Sequence, residues 1–555
     1  MSDNKRIRDT FSTCIQFLIV GRSGSVAHFL PLFLIGIVLV FALGNYSQFP
    51  VYPDEVAFKL ISARWFQEGA NPLGLFGFCR PEGTVVPALL QPAAVITSAF
   101  AISVEQLFAG RWLSIFLVGG LLSFALHDLW RSLNAKWLAF LPLSVCCFGL
   151  IPAYLLINRP EQLWISTCLL MMLCLQSSSR KRGMALFALA TGCWYVGLYI
   201  HPEFFLLFPA LILLSWGLLE SSIARGIFVT CTTLLLIVSS KYYRTSFSLC
   251  GSMPEFSQYV LAISRPAWSL NRQFPIDAVR NIAFTNQSPL HILPSLSIPK
   301  PMVLLQAVFV LGLISLMLIG AIYLSWSILA GMYHSKGIAR QSFPWRRLSC
   351  LAVLISSLLL FCLDSSHSFY RLSAAVVVGS FFLAKDMDRI LSENSSFYAN
   401  RSMQVVVLFF SLNGLGSIVY SGLYIAPIFR HGYVGPGVSL SQWESVGRVS
   451  TDLFPDDADH RFGPVIMDDL TYGLVHNRFK KLIPITYMEL ARLKDGRNAS
   501  VDGLFDSIVK KRLAVVRCSP VLLLAGRDDV IRLDLGRQIP SICIYPPPRS
   551  MDLLN

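Results

Sequence analysis

Long apolar runs recur along the first three quarters of the chain, each about 17 to 25 residues, the length that carries a helix across about 30 Å of hydrocarbon. They fall at 27–44, 107–130, 135–157, 160–178, 184–200, 203–219, 225–240, 302–330, 348–363, 369–385 and 403–427, a pattern that predicts about eleven transmembrane helices. A further run, 84–104, contains Pro87, Gln91 and Pro92; it reads as an interfacial or re-entrant helix. After Pro53, residues Ala57, Leu60, Ile61 and Trp65 share one helical face, and Glu55, Lys59 and Ser62 share the other. That spacing predicts a helix lying on the membrane surface. Beyond Gly432 the pattern changes to short strand-like runs, 464–467, 513–516 and 542–544, around a helix-like stretch 501–511. The expected fold is thus a polytopic α-helical membrane protein with interfacial helices in the first outer loop and a C-terminal soluble α/β domain. The transmembrane domain is expected over 1–430, with a first outer loop 45–106 and a basic outer loop 241–301, and the α/β domain over 431–555.

Composition agrees with a bilayer as solvent. Apolar residues make up 54% of 555 and charged residues 14%, with a mean hydropathy of +0.58, a balance foreign to water-soluble chains of this length. The first run follows a basic leader carrying Lys5, Arg6, Arg8 and Arg22. It is longer than a signal-peptide core and reads as a retained anchor. The net charge of +14 does not point to nucleic acid, because the cations sit in short loops between apolar runs, where they report topology. The densest clusters are Arg180-Lys181-Arg182, then Lys336, Arg340, Arg346 and Arg347, then Lys385 and Arg389. With these and the leader cytoplasmic, the first run exits outward, 84–104 does not cross, and the tail lies outside. The expected location is a bacterial-type cytoplasmic membrane. Most of the thirteen cysteines lie within apolar runs as small hydrophobes, and no C-x-x-C pair occurs. Cys518 and Cys543 stand in the polar tail, where an extracytoplasmic setting would permit a disulfide, although sequence alone does not establish their separation.

This orientation collects chemistry on the outer face. Asp54 and Glu55, Arg80 and Glu82, Arg159 and Glu161, His201 and Glu203, and Asp364, His367 and Arg371 all end or interrupt apolar runs there. Asp54 follows a proline and can cap a helix, and Glu161 and Glu203 follow prolines at helix starts, where the dipole favours an acid. Charges are costly at mid-bilayer and collect at interfaces or wet cavities. The basic outer loop adds Lys241, Arg244, Arg265, Arg272, Arg280 and Lys300, a set suited to a phosphate or pyrophosphate headgroup. Acids beside guanidinium groups at a membrane boundary suit glycosyl transfer from an isoprenoid-phosphate sugar. The leaving phosphate needs cations and the acceptor hydroxyl needs a base. Asp54 is the candidate base, with Glu55 beside it. Arg80, Glu82, Arg159, Glu161, His201, Glu203, His367 and Arg371 are candidates for binding substrate.

The pattern resembles the GT-C superfamily of membrane glycosyltransferases, in particular the branch of protein O-mannosyltransferases and lipid A aminoarabinose transferases. The likeness rests on Asp54-Glu55 after the first span, interfacial helices in the first outer loop, and Arg159-Pro160-Glu161 after the third span. It implies Asp54 as catalytic acid-base residue, Glu161 as a second acid, a polyprenyl-monophosphate sugar as donor, and an extracytoplasmic domain at the end of the chain. The His/Lys-Pro-Pro element often found late in the first outer loop of that family is replaced here by Arg80-Pro81-Glu82 or Gln91-Pro92. Metal use varies across the superfamily, and isolated carboxylates without a tight Asp-x-Asp cluster leave a divalent cation open. The acceptor, whether a glycan, a glycolipid or a protein, is open too.

The competing function is a transporter or flippase for a lipid-linked or small substrate. Transporters place charges near mid-span on broken helices and often repeat in two halves, whereas here charges lie at span ends and no internal repeat is visible. A ligase using polyprenyl-diphosphate donors would rely on the basic outer loop instead of Asp54-Glu55.

Overall fold

A computed structural model describes residues 26–47, 105–156, 160–177, 179–200, 202–248, 274–285, 298–334, 345–362, 369–393 and 397–428 of the helical part. In the tail it describes 454, 465–467, 471, 482–484, 513–518, 530–533 and 541–545. Helices α1 (Val26–Gly44) and α2 (Glu105–Ser132) are antiparallel, with Gly36 beside Ser123 and Gly44 beside Trp112. Residues 47 and 105 therefore lie toward the same end of the bundle, as expected if the segment between them makes no net crossing. Helices α5 (Pro160–Gln176) and α6 (Arg180–Ile200) form the next antiparallel pair, joined where Cys174 Sγ donates to Gly183 O at 3.1 Å. A 3-10 segment Pro202–Leu207 leads into α7 (Phe208–Leu218), which returns along α6, Gly183 lying beside Leu218.

The later helices are α8 (Ser222–Ser248), α9 (Phe274–Ile282), α10 (Lys300–His334), α11 (Trp345–Cys362), α12 (Phe369–Glu393) and α13 (Phe397–Tyr420). Among the described residues four helices are long and apolar enough to cross a membrane, at Arg111–Ser132, Ser222–Ser240, Lys300–Trp326 and Asn400–Ile425. Shorter apolar helices occur at Leu30–Gly44, Lys136–Cys146, Gln162–Gln176, Phe204–Leu218 and Leu348–Leu359. Ile223, Ile322, Trp326 and Val405 are each at least 65% exposed, an arrangement that suits hydrocarbon and not water as the surrounding medium. Packing inside the bundle is close: a Cβ on Gly414 would stand 2.9 Å from Ser144 Cα, so backbones touch where α13 crosses the third apolar run, the kind of approach small residues allow.

That third run departs from expectation. Residues 135–157 read as one continuous span, but the chain forms a 3-10 turn Lys136–Ala139, then α3 (Phe140–Cys146), then α4 (Ile151–Leu156). The break is centred on Gly149, at φ +52°, a left-handed conformation that glycine adopts without penalty. It lies among buried residues, Cys146 through Leu156 all being shielded.

At the opposite end, charges tie the connectors. Arg182 Nη1 meets Asp128 Oδ1 at 3.0 Å, and Arg180 pairs with Glu220 on the surface. Asp388 of α12 accepts from Asn134 N at 3.1 Å, Asn134 Nδ2 at 3.3 Å and Ala135 N at 2.8 Å. The ends of α2, α5 and α12 and the starts of the third run and α6 thus share one face, in the alternation the cation clusters imply.

The tail contains a five-stranded sheet in the order β2-β1-β3-β5-β4, built from β1 (Val465–Met467), β2 (Leu482–Pro484), β3 (Ala514–Arg517), β4 (Ile531–Leu533) and β5 (Ile542–Tyr545). Pairs β1–β2 and β1–β3 are parallel, and β3–β5 and β4–β5 antiparallel. Three of these strands are the runs read from sequence, and the helix-like stretch 501–511 lies outside the described residues. Cys518 and Cys543 form a disulfide, Cα to Cα 5.0 Å, because β3 and β5 pair with Val516 opposite Cys543.

Replacing Asp388 with Ala removes the acceptor for two backbone amides and a side-chain amide. The expected loss is about 2–3 kcal/mol, read as a lowered midpoint in thermal unfolding in detergent, with Asp388→Asn recovering part of it.

Candidate functional site

Several buried polar contacts gather at the end of the bundle where α1 stops. Asn45 Nδ2 donates to Ser421 Oγ at 2.9 Å and to Ile418 O at 3.2 Å, joining the end of α1 to a π-helical turn, Ser421–Ile425, that follows α13. The wider turn releases carbonyls from the α-helical ladder, and the asparagine amide takes one of them. Tyr46 Oη donates to Gly149 O at 2.6 Å. Burial pushes the Tyr46 phenol well above its ordinary value, so it stays protonated and keeps donating. Arg111, on the second turn of α2, is 1% exposed, and its Nη1 reaches Ser47 O at 3.4 Å. Gln162 Nε2 on α5 donates to Leu155 O at 3.0 Å and reaches Ser114 Oγ at 3.4 Å.

The Gly149 break ties α9, in the described part of residues 249–297, to this layer. Helix α9 ends in two carbonyls that would otherwise lack partners. Tyr154 Oη donates to Asn281 O at 2.6 Å and Leu150 N to Ile282 O at 2.9 Å. Just beyond, Phe284 N donates to Gln306 Oε1 at 2.6 Å. A Cβ on Gly149 would collide with the Ile282 carbonyl, so the missing side chain is what lets α9 dock there.

The predicted site residues stand around this layer as follows. Glu161 occupies the first turn of α5, Glu203 the 3-10 segment after α6, and Arg371 the first turn of α12; their backbones are described and their side chains are not. Asp54, Glu55, Arg80, Glu82, Arg159, His201 and His367 lie outside the described residues. The helices that flank them all end at one side of the bundle. Trp194 near the end of α6 donates to Phe204 O at 2.8 Å, and Ser356 near the end of α11 donates to Leu206 O at 2.5 Å. Arg111 escaped the sequence reading. Its signal was a cation several residues inside an apolar run, where a charge is costly unless engaged. Among the described residues no three His, Cys, Asp or Glu side chains gather in a way that could hold a metal ion.

Two solved structures of ArnT from Cupriavidus metallidurans superimpose on nearly the whole chain. The structure bound to undecaprenyl phosphate covers 95% of this chain and 100% of its own at 11% identity and a TM-score of 0.50; the apo structure covers the same shares at 12% identity and 0.52. The chain shares the fold of these two structures. Archaeoglobus fulgidus oligosaccharyltransferase aligns over 88% of this chain and 69% of its own at 12% identity and a TM-score of 0.40, too low to bear on the fold. No protein-family model and no curated protein matches the sequence.

Gly149→Ala tests the docking of α9. An Ala at this φ and against the Ile282 carbonyl is expected to cost about 2 kcal/mol or more. The check is a lowered thermal midpoint together with faster proteolysis within 249–297 of the basic outer loop.

Proposed function

We propose that this protein is a glycosyltransferase that moves a sugar from a polyprenyl-phosphate donor to an acceptor hydroxyl at the outer face of the cytoplasmic membrane. The observation that carries the reading is the superposition along the full length of ArnT, one of whose structures holds undecaprenyl phosphate. The sequence supports it independently, since acids and guanidinium groups fall at helix ends of a single side. Asp54 takes the proton of the acceptor hydroxyl as its oxygen bonds the anomeric carbon. The bond from that carbon to the phosphate oxygen breaks, and polyprenyl phosphate leaves with the electron pair. Arg80, Arg159, Arg371 and the basic outer loop meet the charge on that leaving group. Glu55, Glu82, Glu161, His201, Glu203 and His367 orient sugar and acceptor. Were a divalent cation bound, carboxylates such as Asp54 and Glu55 would hold it, and it would supply positive charge for the leaving phosphate.

The outward placement of the tail has its own support. Disulfides persist in oxidising compartments, and Cys518 and Cys543 are joined. In intact cells an impermeant maleimide is expected to add two labels to the tail only after an impermeant reductant has acted. Labelling before reduction, or no labelling at all, would place the tail otherwise.

The reaction is tested with purified protein and a panel of radiolabelled polyprenyl-phosphate sugars. Asp54→Asn is expected to lower turnover by about 10²- to 10⁴-fold, the usual worth of a positioned general base, with donor binding retained. An Asn variant that transfers sugar at the wild-type rate would remove Asp54 from this role.

A further inference from the structure

We propose that the last turn of α2 and the 3-10 turn after it form a binding surface for the phosphate of an anionic phospholipid, at the end of the bundle opposite the candidate functional site. The proposal is independent of the glycosyltransferase reading and needs only that the helices stand in a bilayer. Arg131, Lys136 and Lys181 are exposed there, and among the described residues no carboxylate pairs with any of them.

The acids nearby are already engaged. Asp128, one turn before Arg131 on α2, holds Arg182 at 3.0 Å. Asp388 is buried and accepts from the amides of Asn134 and Ala135, and Glu220 pairs with Arg180. The contact between Arg182 and Asp128 brings the start of α6, with Lys181, beside the end of α2. Unbalanced positive charge therefore stays with the three exposed cations.

Lys136 is the centre of the surface because its ammonium is held in place. Its Nζ donates to Arg131 O at 2.9 Å and stands 5.4 Å from the centroid of the Trp130 ring. That carbonyl belongs to the last turn of α2, where cations are favoured, and the ring face adds a cation–π contact. A lysine that merely snorkels extends its stem toward water; Lys136 folds back over the helix end before it. An ammonium has three donors, so donors remain for an outside acceptor. Asp388 fixes the two residues that precede Lys136, which orders the turn as well as the side chain.

The same surface continues toward hydrocarbon. Phe140, four residues after Lys136 and at the start of α3, is 53% exposed, and Trp137 is half-buried. Aromatic rings at headgroup level are characteristic of the membrane boundary. A phospholipid meets both parts, its phosphate at the cations and its chains at Phe140, whereas a free phosphate meets only the first. The guanidinium of Arg131 and the ammonium of Lys136 suit phosphate oxygens as fork and point charge.

The test uses the full chain in detergent with a phosphatidylglycerol that carries a photoreactive group near its phosphate. Phosphatidylcholine with the same group and chains is the neutral control, and glycerol phosphate is the soluble competitor. Crosslinks are expected within 130–140 and 180–182. Changing Arg131→Gln and Lys136→Gln together is expected to weaken phosphatidylglycerol binding about 25-fold, about five-fold for each cation near an anionic surface, while Lys136→Arg retains most of it. Equal labelling by phosphatidylcholine, crosslinks confined to other segments, or unchanged affinity in the double variant would overturn the proposal. Displacement by glycerol phosphate would overturn the lipid as occupant and assign the cations to a soluble anion. Should the double variant fail to fold, the crosslink map of the wild-type protein decides.

Discussion

A main-chain amide or carbonyl buried away from water must find its partner within the protein, and the architecture around Gly149 is organised by that constraint. A helix interrupted in a buried layer exposes polar backbone on both sides of the break. Here the Gly149 carbonyl accepts from Tyr46, the Leu150 amide donates to Ile282, and Tyr154 caps Asn281. The repairs reach two distant parts of the chain, one to Tyr46 and two to the end of α9, so satisfying the break fastens the end of α1 and helix α9 to the same spot. The π-helical turn after α13 repeats the device, its released carbonyl taken by Asn45. Irregular backbone thus becomes the means of assembling one end of the bundle.

The two ends use different physics. Where α1 stops, neutral donors and carbonyls predominate among the described residues, with one enclosed guanidinium, Arg111. At the opposite end the connectors are held by charge, through Arg182 with Asp128 and Asp388 against the amides of 134 and 135. Partly solvated ion pairs contribute little each, but Arg182 with Asp128, Arg180 with Glu220 and the Asp388 amide contacts together join consecutive connectors at this end. The middle of the bundle adds apolar packing and close backbone contact, as between Gly414 and Ser144.

Much of the architecture was legible along the chain. Apolar runs become helices, the described cation clusters Arg180-Lys181-Arg182 and Lys385 with Arg389 fall at one end, and the strand-like runs at 465, 514 and 542 pair in one sheet. The sequence reading missed the break in the third run because a buried helix and a buried knuckle are both uniformly apolar, and Gly149 among cysteines and phenylalanine carries no periodic signal. It passed over Arg111 for a related reason: a lone cation in a span is conspicuous, but what engages it lies in Ser47, more than sixty residues away in sequence.

Sequence by itself determined the solvent in which this protein folds and the number and order of its apolar runs, because those follow from local hydropathy. Tertiary structure alone decided that Cys518 meets Cys543, that α9 docks at Gly149, and that Trp194 and not Trp164 holds the Phe204 carbonyl. These depend on strand register and on competition for particular carbonyls between residues distant along the chain, and nothing in the local order of side chains records which competitor wins.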